Sequence, residues 1–191
     1  MPTPNTKQVL AATLKQLMKT TSLDHITIDK LAVAAHINRN TFYYHFDDIH
    51  SLLAWVYERD VVTALKQRSD IQHWQAAYQL MLTYIAANQQ LCLNTFHSLN
   101  RDVLDDLLYR HAAEMVDLVV TSIDSQTPIR VRMAITDFYG WAITAQVTQW
   151  LASELAETQE SMIRKAELMM DGTLAHIIAR GKTDPYFGRR E

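Results

Sequence analysis

Arg39, Asn40 and Thr41 stand side by side within the run NRNTFYYHF, residues 38–46. A guanidinium can donate two parallel hydrogen bonds to O6 and N7 of guanine, a contact supplying about 1–3 kcal/mol of discrimination. An asparagine amide can pair with adenine or with phosphate, and a threonine hydroxyl with phosphate. This triplet has the chemistry to recognise a nucleic acid. Catalytic alternatives have no residues behind them: there is no G-x-S-x-G, no P-loop, no glycine-rich phosphate cradle and no supported Cys–His pairing. His45, Asp48 and His50 lie close in sequence, but their spacing fits no standard zinc site. The sequence therefore predicts a non-enzyme with no metal and no cofactor.

The flanking residues supply a scaffold for this triplet. Thr27 is a good N-cap, with Asp29 and Lys30 in the first turn and Ile28, Leu31, Ala32 and Ala35 on one apolar face. His36-Ile37-Asn38 interrupts that pattern, and Asn38 can cap a second helix over Arg39–Phe46. Phe42 and Phe46 lie four apart and face inward, leaving Arg39, Asn40, Tyr43 and Tyr44 outward. Two helices joined by so short a turn form a helix-turn-helix, whose second helix enters the major groove of DNA. Upstream, Asn5 or Thr6 caps a first helix to about Thr20, with Val9, Leu10, Thr13, Leu14, Leu17 and Met18 on one side and Lys7, Lys15 and Lys19 on its polar face. Downstream, Asp47 or Asp48 caps a fourth helix with apolar positions Ile49, Leu52, Leu53, Val56 and Tyr57. It runs from about 48 to 68, bridging head and body.

The run IDKLAVAAHINRNTFYYHFDD, with its Thr-Phe-Tyr-x-His-Phe core, resembles the DNA-binding domain of the TetR/AcrR family of bacterial transcriptional regulators over residues 6–56. The resemblance implies an all-α fold of about nine helices. Residues 1–50 would be a three-helix DNA-binding domain, and residues 51–191 an effector-binding and dimerisation domain. The implied activity is that of a ligand-responsive repressor, a homodimer on a palindromic double-stranded operator. Thr41, Tyr43 and His45 fall where the family places backbone and base contacts, Tyr44 faces the groove, and Thr27 and Lys30 would hold phosphate. One position departs from the pattern. Many members carry a phosphate-clamping lysine at the start of the fourth helix, and here that residue is Ile49, preceded by Asp47 and Asp48. Repulsion between carboxylate and phosphate predicts modest affinity or reliance on a partner protein. The stretch FYGWAITAQVTQWLASE, residues 138–154, is also similar to regulators near dihydroxyacetone kinase operons. Some of these act as activators through a partner protein, which is the alternative reading.

The whole chain fits a helical protein. In 191 residues there are four glycines and four prolines, with 48% hydrophobic residues, too many for a largely disordered chain. Net charge is −3, yet residues 1–50 hold five Lys/Arg against four Asp/Glu, a modest basic bias of the head. The single cysteine, Cys92, excludes an intrachain disulfide, and its apolar neighbours predict a buried small hydrophobe. Neither a signal peptide nor a membrane-length apolar run is present, so a cytoplasmic location is expected.

Beyond a joint at residues 69–73, helices are expected over 74–88, 89–97 and 101–122, the last capped by Asn100. An eighth opens at Pro128 and runs to about Ala156, a ninth spans Thr158–Ala179, and the tail from Gly181 is expected to fray. Candidate effector-pocket residues are Trp55, Tyr84, Phe96, His97, Phe138 and Trp141, for a neutral or apolar small molecule. Helix eight presents Trp141, Ala145, Thr148 and Ala152 on one side, and helix nine presents Ile163, Ala166, Met170, Leu174 and Ile177. Helices apolar over more than one face must bury more than one, which predicts a four-helix interface between two copies of the chain.

Overall fold

A computed structural model describes residues 5–66, 74–99 and 101–187. Regular structure among them is helical. In chain order the elements are α1 (Thr6–Leu17), a 3₁₀ turn (Leu23–His25), α2 (Ile28–Ala34), α3 (Arg39–Tyr43), α4 (Ile49–Lys66), α5 (Trp74–Ala87), α6 (Gln89–Phe96), α7 (Asp102–Ile123), α8 (Ile129–Ala152), α9 (Gln159–Met170) and α10 (Thr173–Thr183). They group into two compact units. Met1–Ala64 with Ala87–Leu107 make the first, and Leu65–Ala86 with Leu108–Glu191 make the second.

In the first unit, side-chain caps fix where helices begin. Asn5 accepts from the Lys7 amide, Thr27 from the Lys30 amide and Asn38 from the Thr41 amide. Asp48 accepts from the Ser51 amide at 2.7 Å while the Ser51 hydroxyl accepts from the Asp48 amide at 3.2 Å, a reciprocal box at the start of α4. The core is apolar: Leu10, Leu14 and Met18 from α1 and the turn beyond it, Leu31 from α2, Phe42 from α3, and Leu52, Leu53 and Tyr57 from α4 are each fully buried. All five apolar positions expected on α4 are buried.

One polar side chain ties α6 into this unit. Asn94 donates to the carbonyls of Met18 at 2.8 Å and Thr21 at 2.7 Å, and accepts from the Leu23 amide at 2.7 Å. It thereby satisfies backbone groups of the link between α1 and the 3₁₀ turn. One helical turn on, Ser98 donates to Asp24 at 2.5 Å, which holds that carboxyl below its usual range. Thr95 and Tyr57 share a buried hydroxyl pair at 2.7 Å. Cys92, on the same helix, is buried as expected, and its desolvation pushes the thiol up to about 12.

The second unit packs α7, α8, α9 and α10 with α5. α7 and α8 run antiparallel, with Asp117 paired to Arg132 and Tyr109 donating to Asp137 at 2.8 Å. Gly140 sits where a β-carbon would lie 3.3–3.4 Å from Tyr109 and Ala113. Gly181 permits a close approach of α10 to α8, since a β-carbon there would meet the Val131 methyls at 2.7–2.8 Å. Tyr78 of α5 donates to the Gln146 side chain at 2.9 Å, and that amide donates onward to the Met162 carbonyl at 3.1 Å.

The helical fold expected from the sequence is present, but several boundaries move. α1 stops at Leu17 and α3 at Tyr43. α8 ends at Ala152 because Glu154 and Leu155 take left-handed backbone angles, φ 53° and 63°, and the Leu155 amide returns to the Trp150 carbonyl at 2.9 Å. The expected ninth helix is two helices, divided where Gly172 adopts φ 73°. Gly181–Thr183 close α10, and Asp184 accepts from the amides of Tyr186 and Phe187. The joint at residues 69–73, the Asn100 cap and residues 188–191 lie outside the described residues.

Asn94→Ala should leave the Leu23 amide and two carbonyls without their partner. Each such bond contributes about 0.5–1.5 kcal/mol net. A loss of about 2–3 kcal/mol in urea unfolding is expected, and no loss would show that water replaces the clamp.

Candidate nucleic-acid interface

α3 has five residues and cannot hold itself in place, since an isolated helix of that length does not persist in water. Burial of Phe42 anchors it from below, and hydrogen-bonded turns carry the chain on to Phe46, 7% exposed, whose ring lies 6.1 Å from that of Phe42. With those two rings inward, Arg39, Asn40, Tyr43 and Tyr44 all face outward. Tyr44 is 85% exposed, a degree of exposure that a phenol serving only the core would not show. Thr41 and His45 are half-buried at the edges of the same surface, and the Thr41 hydroxyl donates to Asn38 at 2.9 Å. Thr27 and Lys30 are exposed at the start of α2, with the Lys30 ammonium resting on the His25 carbonyl at 3.0 Å. All eight residues selected from the sequence therefore lie exposed or half-buried on the helix-turn-helix.

The guanidinium of Arg39 is already engaged. Its Nη2 donates to the Tyr43 hydroxyl at 3.2 Å and its Nη1 to both carboxylate oxygens of Asp29 at 3.3 Å, while the group stands 5.5 Å from the Tyr43 ring centre. The tyrosine hydrogen bond and then the Asp29 charge hold this guanidinium above its ordinary range. From the sequence, Asp29 is only a first-turn acid. Ten residues separate it from Arg39, and only the folded turn brings them together. Of the α1 lysines, Lys15 pairs with Asp60 of α4, Lys7 lies over the Phe46 ring at 5.3 Å, and Lys19 is exposed. Ile49 is 9% exposed and belongs to the core, so the place where the family pattern has a lysine is used here for packing.

The candidate pocket residues divide between the two units. Trp55, Phe96 and His97 belong to the first unit: Trp55 packs edge-on to Phe46, Phe96 lies beneath the Arg101 guanidinium, and His97 is exposed. Tyr84, Phe138 and Trp141 belong to the second, where Tyr84 is half-buried. Phe138 and Trp141 line an open depression with Ala134, Asp137 and Ala142, and are 71% and 54% exposed. They form part of a surface rather than the wall of an enclosed cavity.

The candidate dimer residues also divide. On α8, Trp141, Ala145 and Ala152 are exposed and Thr148 is half-buried. On α9 and α10, by contrast, Ala166, Met170 and Leu174 are 6%, 3% and 0% exposed, and Ile163 and Ile177 are half-buried. The first three are core of the chain itself. The apolar side chains left outward on α9 are Leu168 and Met169.

Residues 72–172 match the transcriptional regulator C-terminal region of the TetR type. The chain belongs to the TetR family of transcriptional regulators. A curated relative, the HTH-type dhaKLM operon transcriptional activator DhaS of Lactococcus lactis subsp. lactis (strain IL1403), is 32% identical over 84 residues. That match spans 44% of this chain and 45% of the relative's length. A solved structure described as dihydroxyacetone kinase operon activator DhaS aligns with TM-score 0.58 and 22% identity, covering 93% of this chain and 97% of that one. Fatty acid degradation regulator FadR from Bacillus halodurans aligns with TM-score 0.61 and 13% identity, covering 90% and 97%. At those identities the two structures show the shared fold. The similarity to regulators of dihydroxyacetone kinase operons noted in residues 138–154 agrees with these relatives.

The turn between α2 and α3, which the sequence pattern locates at His36-Ile37-Asn38, also carries a backbone constraint that the pattern does not reveal. His36 has φ 55°, the left-handed region that glycine enters without penalty. That geometry costs a residue with a β-carbon about 1–2 kcal/mol. The greater freedom of an unfolded glycine offsets about 0.4–1 kcal/mol of it. His36→Gly should therefore raise stability by up to about 1 kcal/mol, read from the shift in denaturation midpoint. A lower midpoint would mean that the imidazole makes a stabilising contact here.

Proposed function

We propose that this chain is a homodimeric DNA-binding transcriptional regulator, in which α3 enters the major groove of each half-site of a palindromic operator. The observation that carries this reading is the outward row Arg39, Asn40, Tyr43 and Tyr44 on a helix docked by Phe42. Arg39 reads a guanine, Asn40 an adenine or a phosphate, and Thr27, Lys30, Thr41 and His45 hold backbone and flanking groups. The functional division is a DNA-binding head over residues 1–50 and an effector and dimerisation body over residues 51–191. A small-molecule effector that favours one separation of the two heads alters DNA affinity, and DNA alters effector affinity by the same factor.

The dimer surface is supported by α8. Ala134, Phe138, Trp141, Ala145, Thr148 and Ala152 recur at spacings of four and three, so they form one stripe along the helix. Trp141 stacks on Tyr109 with ring centres 4.3 Å apart, which fixes it as a flat platform. An exposed Phe and Trp on a continuous apolar stripe mark a protein contact, and a two-fold axis lets the same stripe serve both copies.

A specific observation also favours activation over repression. The relative that is 32% identical over 84 residues is named a transcriptional activator, and Asp47, Asp48 and Ile49 leave the start of α4 without a cation. An activator assisted by a partner protein has less need of phosphate clamps than a repressor that must hold its operator alone.

Selection of the full chain against a random duplex library at moderate salt should enrich a palindrome whose half-sites lie about one turn, 34–36 Å, apart. In the same selection Arg39→Ala should lose discrimination at one position per half-site, by about 1–3 kcal/mol. An unchanged preference would remove Arg39 from base reading. For the interface, Phe138→Glu combined with Trp141→Glu should halve the mass in solution and abolish operator binding while the helical circular dichroism persists. A mass unchanged by both substitutions would place the dimer contact elsewhere.

A further inference from the structure

The contact between Arg39 and Asp29 makes little sense as a stabilising interaction. Both side chains are more than half exposed, and exposed ion pairs add little to folding stability. Yet a carboxylate here sets negative charge beside the surface that must approach a polyanion, where each cation that neutralises a phosphate strengthens binding. The head has only five Lys/Arg among its first 50 residues, and Lys15 is already paired with Asp60. Binding strength alone would select against an acid at residue 29.

Orientation gives it a purpose. An arginine carries about 2 kcal/mol of rotamer entropy on its four-bond stem, and an unrestrained guanidinium can swing to the nearest phosphate. Here the group is fixed from two directions. Asp29, on α2, takes Nη1 through both carboxylate oxygens, and Tyr43, one turn along α3, takes Nη2 through its hydroxyl. These contacts leave further N–H donors of the fork for an acceptor beyond the protein, because a guanidinium has five. The backbone that carries Asp29 is held in the first turn of a helix capped by Thr27.

We propose that Asp29 is a specificity-determining positioning residue, which with Tyr43 locks the Arg39 guanidinium for one base pair and keeps it off the phosphates. This inference rests on the reading of α3 as a DNA-recognition helix. It says where that helix gets its selectivity: from an acid on the neighbouring helix that trades general affinity for discrimination.

The two effects have opposite signs, and that separates this role from a structural one. Asp29→Asn frees Arg39 and removes a negative charge. Affinity for a random-sequence duplex should rise, with the slope of log affinity on log salt steeper by about 0.9 for each further phosphate that the protein neutralises. Discrimination at the Arg39 position of the selected operator should fall about 5- to 10-fold, within what one bidentate contact supplies. Asp29→Glu, which keeps the carboxylate, should recover part of it. In an Arg39→Ala background, Asp29→Asn should change discrimination no further.

The measurement uses full-length protein, the duplex selected by the wild type, the same duplex altered at the Arg39 position, and a random duplex, each titrated across a salt series. Equal weakening of Asp29→Asn on all three duplexes, or wild-type discrimination retained, would overturn the proposal. So would a further loss at that base pair in the Arg39→Ala background. If Asp29→Asn does not fold, Tyr43→Phe removes the second anchor and should lower discrimination at the same position by a smaller factor. A uniform loss there would again count against the lock. Failure of the wild type to enrich any sequence would instead bring down the DNA-recognition reading and this inference with it, an outcome distinct from wild-type selectivity that Asp29→Asn leaves intact.

Discussion

Burial of Phe42 is the constraint on which the head depends. A five-residue helix has too few internal hydrogen bonds to offset the entropy of ordering it. Its place and rotation are therefore set by the one side chain it buries completely. Once Phe42 is seated, the 100° step of the helix decides which residues face out, and Arg39, Asn40 and Tyr43 follow with no freedom left to choose. Asn38 adds the cap and Phe46 closes the far end. The chemistry of the outer face is thus positioned by the apolar chemistry of the inner one.

The rest of the first unit extends the same logic with polar contacts. The link between α1 and α2 holds backbone groups that neither helix can satisfy, and Asn94 of α6 supplies partners for three of them. Asp24 and Ser98 add a second tie between the same regions. A helix more than fifty residues beyond α2 in the chain is in this way part of the compact unit that contains the helix-turn-helix. Apolar contacts would tolerate sliding, whereas directed hydrogen bonds to named carbonyls set one register.

What was legible in the sequence was local. The caps at Thr27 and Asn38 could be read directly, and those at Asn5 and Asp48 as one of two neighbouring candidates, because a capping side chain and its target amide lie within three residues. The inward set on α4 could be read because five apolar residues share one face. The Asn94 clamp could not, since its partners lie 71–76 residues away and any surface asparagine has the same composition. The end of α8 was missed because Glu154 and Leu155 take the angles that glycine usually announces. The break at Gly172 did carry its glycine, yet apolar spacing continues across it from Met170 to Leu174 and hides the change of direction. On the last helices Ala166, Met170 and Leu174 of the expected dimer stripe are buried within the chain itself, because periodicity shows that a face is buried without showing what buries it. On α8 the corresponding residues stay outward because others on that helix, among them Ile143, Val147 and Leu151, fill the core.

Cys92 has a practical consequence. It is the only cysteine in the 191 residues, it is buried, and desolvation pushes its thiol up to about 12. Almost none of it is thiolate at neutral pH, and the thiolate is the form that reacts. To a maleimide or iodoacetamide reagent the folded chain therefore behaves as cysteine-free. A cysteine placed at an exposed site such as Leu168 would be the one reactive thiol, ready to carry a single fluorophore or spin label without first removing the native one.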